Sequence, residues 1–584
     1  FFLDGLNCER GLGPPAIEAV RGLLKKDLPD GDQVMITGQG RDFKVYQEFT
    51  ADRTKMLAAL AAVESDPGIR QAGENHVRQN ILQLQEAKDN CVGCDPIDRE
   101  SAAQRVGVSF ADEDERRARR ILASLRALVS YLHSGTGRKE LFFLTDGFFS
   151  DPNAFYGTPD TKTRGRTLSS LVVSEAGRLD AEILRLAREA AAAQVAIHTV
   201  NTQGVTRGAI AGMRPDQDRP WERLVESEAS DTLATFALGT GGTAYHMNDN
   251  FGAALERVEQ ETRAIYRLAY VPSGDPDGKF HATKVEVLRK GLRVRAKEGL
   301  LYLTGEAIQE RQLLAAHLSP ELFHDFPMAL EARSYLRDGG SPAVEFALAI
   351  PDESLLFLPQ AGDFVARLEV GMVVRAGKNQ VVDQFSRTVE VILGAQAFAS
   401  RGSLTLLASR AIPPGDYETV SVVRDLGTGN IGALRRSIKI PAITPGRIAM
   451  STLLLEREGE KGRRVDVDPS TKEDSTLVVP AVYRVFSPDA RVIGSCFIYH
   501  PVRERSTGEA RVRVRGSIQQ GGAIIRKLVD SLHTLSAGEQ ADAIPLEFHL
   551  PLAELGRGIY SLNIQALDEV DGRGVVQNVE FMLR

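Results

Sequence analysis

The sequence predicts an α/β domain built on a doubly wound, mostly parallel sheet, followed by two all-β sandwiches, and three observations predict it. Leu141 to Phe149, LFFLTDGFF, is a continuous apolar run ending in an acid, the pattern of a strand buried on both faces that leaves its sheet at Asp146. Apolar runs alternate with helix-periodic segments over residues 1–304. From residue 328 onward the text changes to short alternating strands between Gly, Pro and Asp turns, as in sandwiches. At ~100 to 200 residues per domain, a chain of 584 residues holds several cores.

The chain opens with FFLDGLN, a second short apolar run ending in an acid, Asp4. Ala16, Val20, Leu23 and Leu24 then recur at helical spacing until Pro29-Asp30-Gly31-Asp32 breaks the helix. VMITG (Val34 to Gly38) and FKVYQEF (Phe43 to Phe49) read as a hairpin around Gly38-Gln39-Gly40-Arg41. These glycines have no further Gly and no helix behind them, so a dinucleotide-binding turn fails its context. Thr50 to Asp52 caps a helix through Ala62. Residues 64–112 are longer and more polar than the sheet requires. They read as an insertion over it, with a polar helix near His76 to Lys88, the pair Cys91 and Cys94, and a loop to Asp112. The helix Glu113 to His133 delivers the chain into LFFLTDG, and its EDERRARR run reads as a solvated face.

After Asp146, residues 151–168 and 202–221 are two long loops leaving neighbouring strand ends, with a helix, Arg178 to Ala193, and the strand VAIHTV between them. His198 in that strand reads as a satisfied core residue. Helices near Thr232 to Leu238 and Phe251 to Arg263 flank a TGG turn and the strand Ala244 to Met247, and a hairpin of Ile265 to Val271 with Thr283 to Arg295 closes the domain. Residues 305–327 read as a linker helix, 328–441 and 447–584 as immunoglobulin-like sandwiches, and Pro441 to Gly446 as the link between them. An internal repeat supports two copies: Gly415-x-Tyr417-x7-Asp425-x3-Gly429 recurs as Gly558-x-Tyr560-x7-Asp568-x3-Gly572. Each Tyr is a candidate tyrosine corner or an ordinary packed Tyr.

The order of these parts resembles the von Willebrand factor A domain over residues 1 to 300, and above all the bacterial VWFA-related proteins. The motifs behind the resemblance are FLDGLN at the first strand, RKELFFLTDG at the fourth, Thr240-Gly241-Gly242, YRLAY at Tyr266 to Tyr270 and VRAKEG at Val294 to Gly299. The resemblance implies a strand order of 3-2-1-4-5-6, with only the Phe43 strand antiparallel. It also implies a metal ion-dependent adhesion site, which in that family takes D-x-S-x-S, a Thr and the Asp of the fourth strand. Here Asp4 and Asp146 are kept, Leu6 and Cys8 stand at the two serine positions, and Asn7, displaced by one residue, offers an amide oxygen. Ser109 and Thr50 are the candidates for the Thr. The expectation is a degenerate site holding one divalent cation (Mg²⁺, Ca²⁺ or Mn²⁺) through Asp4, Asn7 and Asp146, or, without metal, acids that bind loop N–H groups.

The net charge of −7 and pI near 5.9 give no basic footprint for nucleic acid or anionic lipid. No apolar run reaches the ~18 residues of a membrane span. The chain begins inside an apparent core strand, so a signal peptide is expected upstream if at all. Cys91 and Cys94 supply two thiolates where structural zinc takes four ligands, with His76 and Cys8 as possible additions. A local disulfide, a redox pair and unpaired small hydrophobes are the other readings. Cys496 is expected to be unpaired. No G-x-S-x-G, H-E-x-x-H or phosphate-cradling motif stands in its required context. The expected function is a non-enzymatic, extracytoplasmic binding or adhesion scaffold that recognises a protein partner at the carboxyl edge of the sheet. A structural part of a cell-surface assembly is the alternative, and a metal-dependent hydrolase fits least.

Overall fold

The computed structural model describes the chain apart from residues 9–13, 27–31, 71, 73–75, 91–95, 135–138, 158–178, 203–219, 246–267, 269, 271, 292–293, 295, 337–341, 378–379, 401, 445, 459–462, 468–480 and 538–542. It divides into two units, Phe1–Leu322 and Phe323–Arg584. Unit 1 is mixed α/β on a six-stranded sheet. In chain order its strands are β1 (Phe2–Asp4), β2 (Val34–Gln39), β3 (Phe43–Thr50), β4 (Lys139–Thr145), β5 (Val195–Asn201) and β6 (Ala244–Tyr245). They lie in the order β3-β2-β1-β4-β5-β6, all pairings parallel except β2 with β3. This is the order expected from the sequence.

The apolar runs explain the centre of the sheet. Phe2, Leu3, Phe143 and Leu144 are essentially fully buried, because strands covered on both faces need apolar side chains in both directions. On one face, Leu3, Ile36 and Leu144 pack with Ile17, Val20, Met56 and Leu60 of the helices Pro14–Leu24 and Arg53–Ser65. On the other, Phe143 stacks on Phe2 and meets Phe236 of the helix Pro220–Thr240 edge-on. Asp52 caps the second helix, accepting from Thr54 N at 2.9 Å. The TGG turn is required sterically, since a Cβ at Gly242 would lie 2.0 Å from Ile197 O. His198 is a satisfied core residue: Thr243 N donates to Nδ1 at 3.2 Å, which makes Nε2 the donor to Glu140 Oε2 at 2.6 Å.

The insertion differs from expectation in one respect. The loop expected to run to Asp112 is helix, and Pro96–Ser134 forms a single helix that delivers the chain to β4. Its first half packs with the helix His76–Asp89 and the short helix Pro152–Gly157 around Leu84, Ala103, Ala111, Phe149, Phe155 and Tyr156. That second core of its own extends the helix beyond what the sheet needs. Cys91 and Cys94 lie outside the described residues, as do the expected helix Phe251 to Arg263 and most of the expected loops 151–168 and 202–221. Of the expected closing hairpin, Ile265 to Val271 lies mostly outside the described residues, and the second strand is different. Phe280–Ala282 pairs with Gly299–Leu301, while 283–290 is not strand, and Leu288 is 98% exposed. Alternation in VEVLRKGL therefore does not correspond to a ladder among the described residues. The helix Gly305–Leu318, expected as a linker, packs on Pro96–Ser134 and belongs to unit 1.

Unit 2 is all-β. Its first core brings Phe346, Leu348 and Ile350 of Pro342–Pro351 against Leu368, Val370 and Met372 of Asp363–Ala376. Its second brings Cys496 and Ile498 of Val492–Tyr499 against Val512 and Val514 of Ala510–Gln520. The boundary expected between 441 and 447 is crossed by one strand: Arg463–Asp466 pairs in parallel with Ser403–Arg410 of the first core's sheet. A short strand of only four residues carries too little pattern to reveal its partner. Cys8 and Cys496 are both free and buried.

Candidate functional site

The rim at the carboxyl ends of β1, β4 and β5 is where an open α/β sheet offers a crevice. Asp4 ends β1, Asp146 follows β4 and Thr202 follows β5. Asp4 and Asp146 are 0% and 2% exposed, so both acids lie beneath the surface of the rim. Asp4 Oδ1 accepts from Leu6 N at 2.9 Å and Asn7 N at 3.2 Å, and its Oδ2 accepts from Asn7 Nδ2 at 2.9 Å and Thr145 Oγ1 at 2.7 Å. Four donors fill the acceptor capacity of a carboxylate. Thr145 Oγ1 in turn accepts from Gly147 N at 3.0 Å, and Thr202 Oγ1 donates to Asp146 Oδ1.

Cys8 lies close to both acids. Its thiol donates to Asp4 O at 2.7 Å and lies 3.4 Å from Thr202 Oγ1. Burial pushes its pKa well up, and the neighbouring Asp146 and Asp4 push in the same direction, so the thiol stays protonated. Burial also raises the pKa of Asp4, against its hydrogen bonds from Thr145, Asn7 and Leu6. Arg117 Nη1 donates to Leu6 O at 2.9 Å, which ties the helix Pro96–Ser134 to the loop after β1.

Asp4 and Asn7 are thus in direct contact, and Asp4 and Asp146 share the Cys8–Thr202 cluster. The arrangement does not fit direct ligation of a hard cation. The Asp4 carboxylate already accepts four hydrogen bonds, the amide of Asn7 presents its nitrogen to Asp4, and Cys8, at the second serine position, offers a thiol where oxygen would be needed. Among the described residues no group of three or more His, Cys, Asp or Glu is placed to hold a metal ion. Ser109 and Thr50 are elsewhere: Ser109 Oγ bonds Val106 O within its helix, and Thr50 Oγ1 accepts from Asp52 N at the far end of β3. Among the described residues, the hydroxyl of Thr145 donates to Asp4 and that of Thr202 to Asp146. Thr145 stands beside Asp146 in the sequence at a strand end, whereas Thr202 has no acid next to it and reaches Asp146 only through the fold. Arg117 carried no signal, because it lies in a run whose other charges pair along the helix surface.

No helix among the described residues is long and apolar enough to cross a membrane. No family model matches the chain, and no curated protein matches it. Among solved structures, it is similar to an aerotolerance-related membrane protein from Bacteroides fragilis (13% identity, 45% of this chain and 96% of that one, TM-score 0.22). It is also similar to a calcium-binding mutant of Bacteroides uniformis beta-glucuronidase 2 (11%, 43% and 27%, TM-score 0.18). A third similarity is to fibronectin(III)-like modules of Clostridium thermocellum CbhA (9%, 41% and 85%, TM-score 0.10). Likenesses this slight assign the chain to no family, and its fold is described by its own sheet topology.

Proposed function

We propose that this chain is a non-enzymatic binding scaffold, acting outside the cytoplasm, whose von Willebrand factor A-like sheet presents its carboxyl rim to a protein partner. The observation that carries this reading is that Asp4 holds the loop after β1 through Leu6 N, Asn7 N and Asn7 Nδ2. The acid acts as a clamp that sets loop shape, and loops held on a rigid sheet are the usual recognition surface. The cation expected from the resemblance has no place in this reading, because the donor set is occupied by the chain's own hydrogen bonds. A metal-dependent hydrolase working through Asp4 and Asp146 has the least support, since the oxygens of Asp4 accept from Leu6, Asn7 and Thr145.

A structural part of a cell-surface assembly is a second reading, favoured by the strand Arg463–Asp466, which stitches the second half of unit 2 into the sheet of the first. The test is capture from envelope extracts on the immobilised chain, with and without EDTA, against Asn153→Arg. Asn153 is exposed on the helix that follows Phe149 at the rim. A partner held equally in EDTA and lost with Asn153→Arg supports the proposal. Capture unaffected by that change, or lost in EDTA, refutes it; concentration-dependent self-assembly without a partner favours the second reading.

A further inference from the structure

A second place in unit 1, sharing no residue with the rim, carries the features of a ligand site. The helix Gly305–Leu318 closes a cleft against Pro96–Ser134 and Asp180–Ala192. The cavity is about 40 Å³, room for roughly three water-sized groups at ~10–15 Å³ each. Most of its wall is Ala, Val, Leu and Ile. Its charges do not balance, because two guanidiniums share one carboxylate: Arg126 Nε is 3.1 Å from Glu189 Oε2, and Arg311 Nη1 is 3.0 Å from Glu189 Oε1.

Three further observations point to an anionic head group as the ligand this cleft would suit. Arg126 Nη2 is buried without a hydrogen-bond partner among the described residues, a costly state for a donor. Arg311 keeps 37% of its side chain exposed, so its remaining N–H groups are reachable. His133, also in the wall, has its pKa lowered chiefly by burial, with the positive charges of Lys139 and Arg311 adding in the same direction.

We propose that this cleft binds a short monocarboxylate, its head group on Arg311 and Arg126 and its one or two carbons against Ala193 and Leu314. A guanidinium presents paired donors that match a carboxylate, and the apolar wall suits a short hydrocarbon better than a second charge. A fully hydrated dianion would leave that wall unmet, and a neutral ligand would leave the charge unmet. Longer chains pass over Leu314 and Leu318, which are 56% and 41% exposed.

The test uses the intact chain at neutral pH. Its melting temperature is followed in sodium acetate, propionate and hexanoate, with sodium chloride at equal ionic strength, propionamide and inorganic phosphate as controls. Propionate is expected to raise the melting temperature saturably by a few degrees, because a ligand that binds only the folded state stabilises it, while propionamide leaves it unchanged. Arg311→Gln and, independently, Ala193→Leu, which fills the cavity, should each abolish the response. No response to any carboxylate overturns the proposal, as does an equal response to phosphate. A response that survives Ala193→Leu overturns it even if Arg311→Gln fails to fold.

Discussion

Thr145 Oγ1 donates to Asp4 Oδ2 at 2.7 Å across two neighbouring parallel strands. That bond completes the shell of the carboxylate, so added Mg²⁺, Ca²⁺ or Mn²⁺ is expected to leave the melting temperature of unit 1 unchanged. Thr145→Ala removes the donor to Asp4 and the acceptor of Gly147 N together. It should cost about 1–3 kcal/mol, because both groups are left buried and short of a partner. Thermal melts of the wild type with and without cation measure the first quantity, and urea melts of the wild type and variant measure the second. A cation-dependent rise in the wild type would show that the loop after β1 rearranges to admit metal.

The raised pKa of Asp4 gives a pH dependence with a defined sign. Desolvation raises its folded-state value above the ordinary 3.8, so between those two values the folded state binds more proton than the unfolded state. The contribution of this group therefore falls as pH rises from about 3.8 through the folded-state pKa, and is constant beyond it. Asp4→Asn keeps an acceptor for the loop amides and removes the titration. Relative to the wild type, the variant should lose less stability across that window. Parallel stability curves for the two proteins would show that Asp4 does not titrate with a raised value.

The centre of the sheet was legible in the sequence because its physics is local. LFFLTDG and FFLDG are buried apolar runs ending in acids, and such runs have few other readings. The rim was half legible. Asp4, Asn7 and Asp146 are named by their strands, but which hydroxyls reach them depends on how β4 and β5 are staggered, a relation between distant residues that no single segment carries. Arg117 shows the same limit, since its bond to Leu6 O spans the whole insertion. The strand expected over Thr283 to Arg295 shows the converse: alternation states what a segment can pair with, and pairing is decided elsewhere.

Two glycines in helices should respond in opposite ways to the same change. A Cβ added at Gly22 would meet no described atom within 4 Å, so Gly22→Ala should stabilise unit 1 by about 0.5–1 kcal/mol through helix propensity. At Gly107 the Cβ would lie 2.9 Å from Tyr156 O, a backbone atom of the segment that shares its core with Phe149. Gly107→Ala should lose that gain or destabilise, despite the higher propensity. Thermal melts of the two single variants decide it, and equal stabilisation would mean that Pro152–Gly157 is not packed on the helix.

Tyr417 and Tyr560 stand third in the strands Gly415–Asp425 and Gly558–Asp568, and each phenol donates to the carbonyl four residues earlier, Pro413 O at 2.7 Å and Gly556 O at 2.9 Å. Both therefore act as tyrosine corners. The acids that end the strands also match. Asp425 Oδ2 accepts from Leu356 N and its Oδ1 from Gly427 N, while Asp568 Oδ2 accepts from Val502 N and its Oδ1 from Val570 N. Gly429 and Gly572 follow with positive φ, 81° and 75°, each donating to the carbonyl of its Asp. The repeated spacing is thus a repeated hydrogen-bond circuit, and the two halves should answer substitution alike. Tyr417→Phe and Tyr560→Phe should each cost about 0.5–1.5 kcal/mol, the net value of one hydrogen bond. Asp425→Ala and Asp568→Ala should each cost more, because both acids are fully buried and their loss strands two backbone donors. Chemical denaturation of the four variants provides the comparison. If the aspartate changes cost less than the tyrosine changes in either copy, the Asp-centred circuit does not hold that half of unit 2 together.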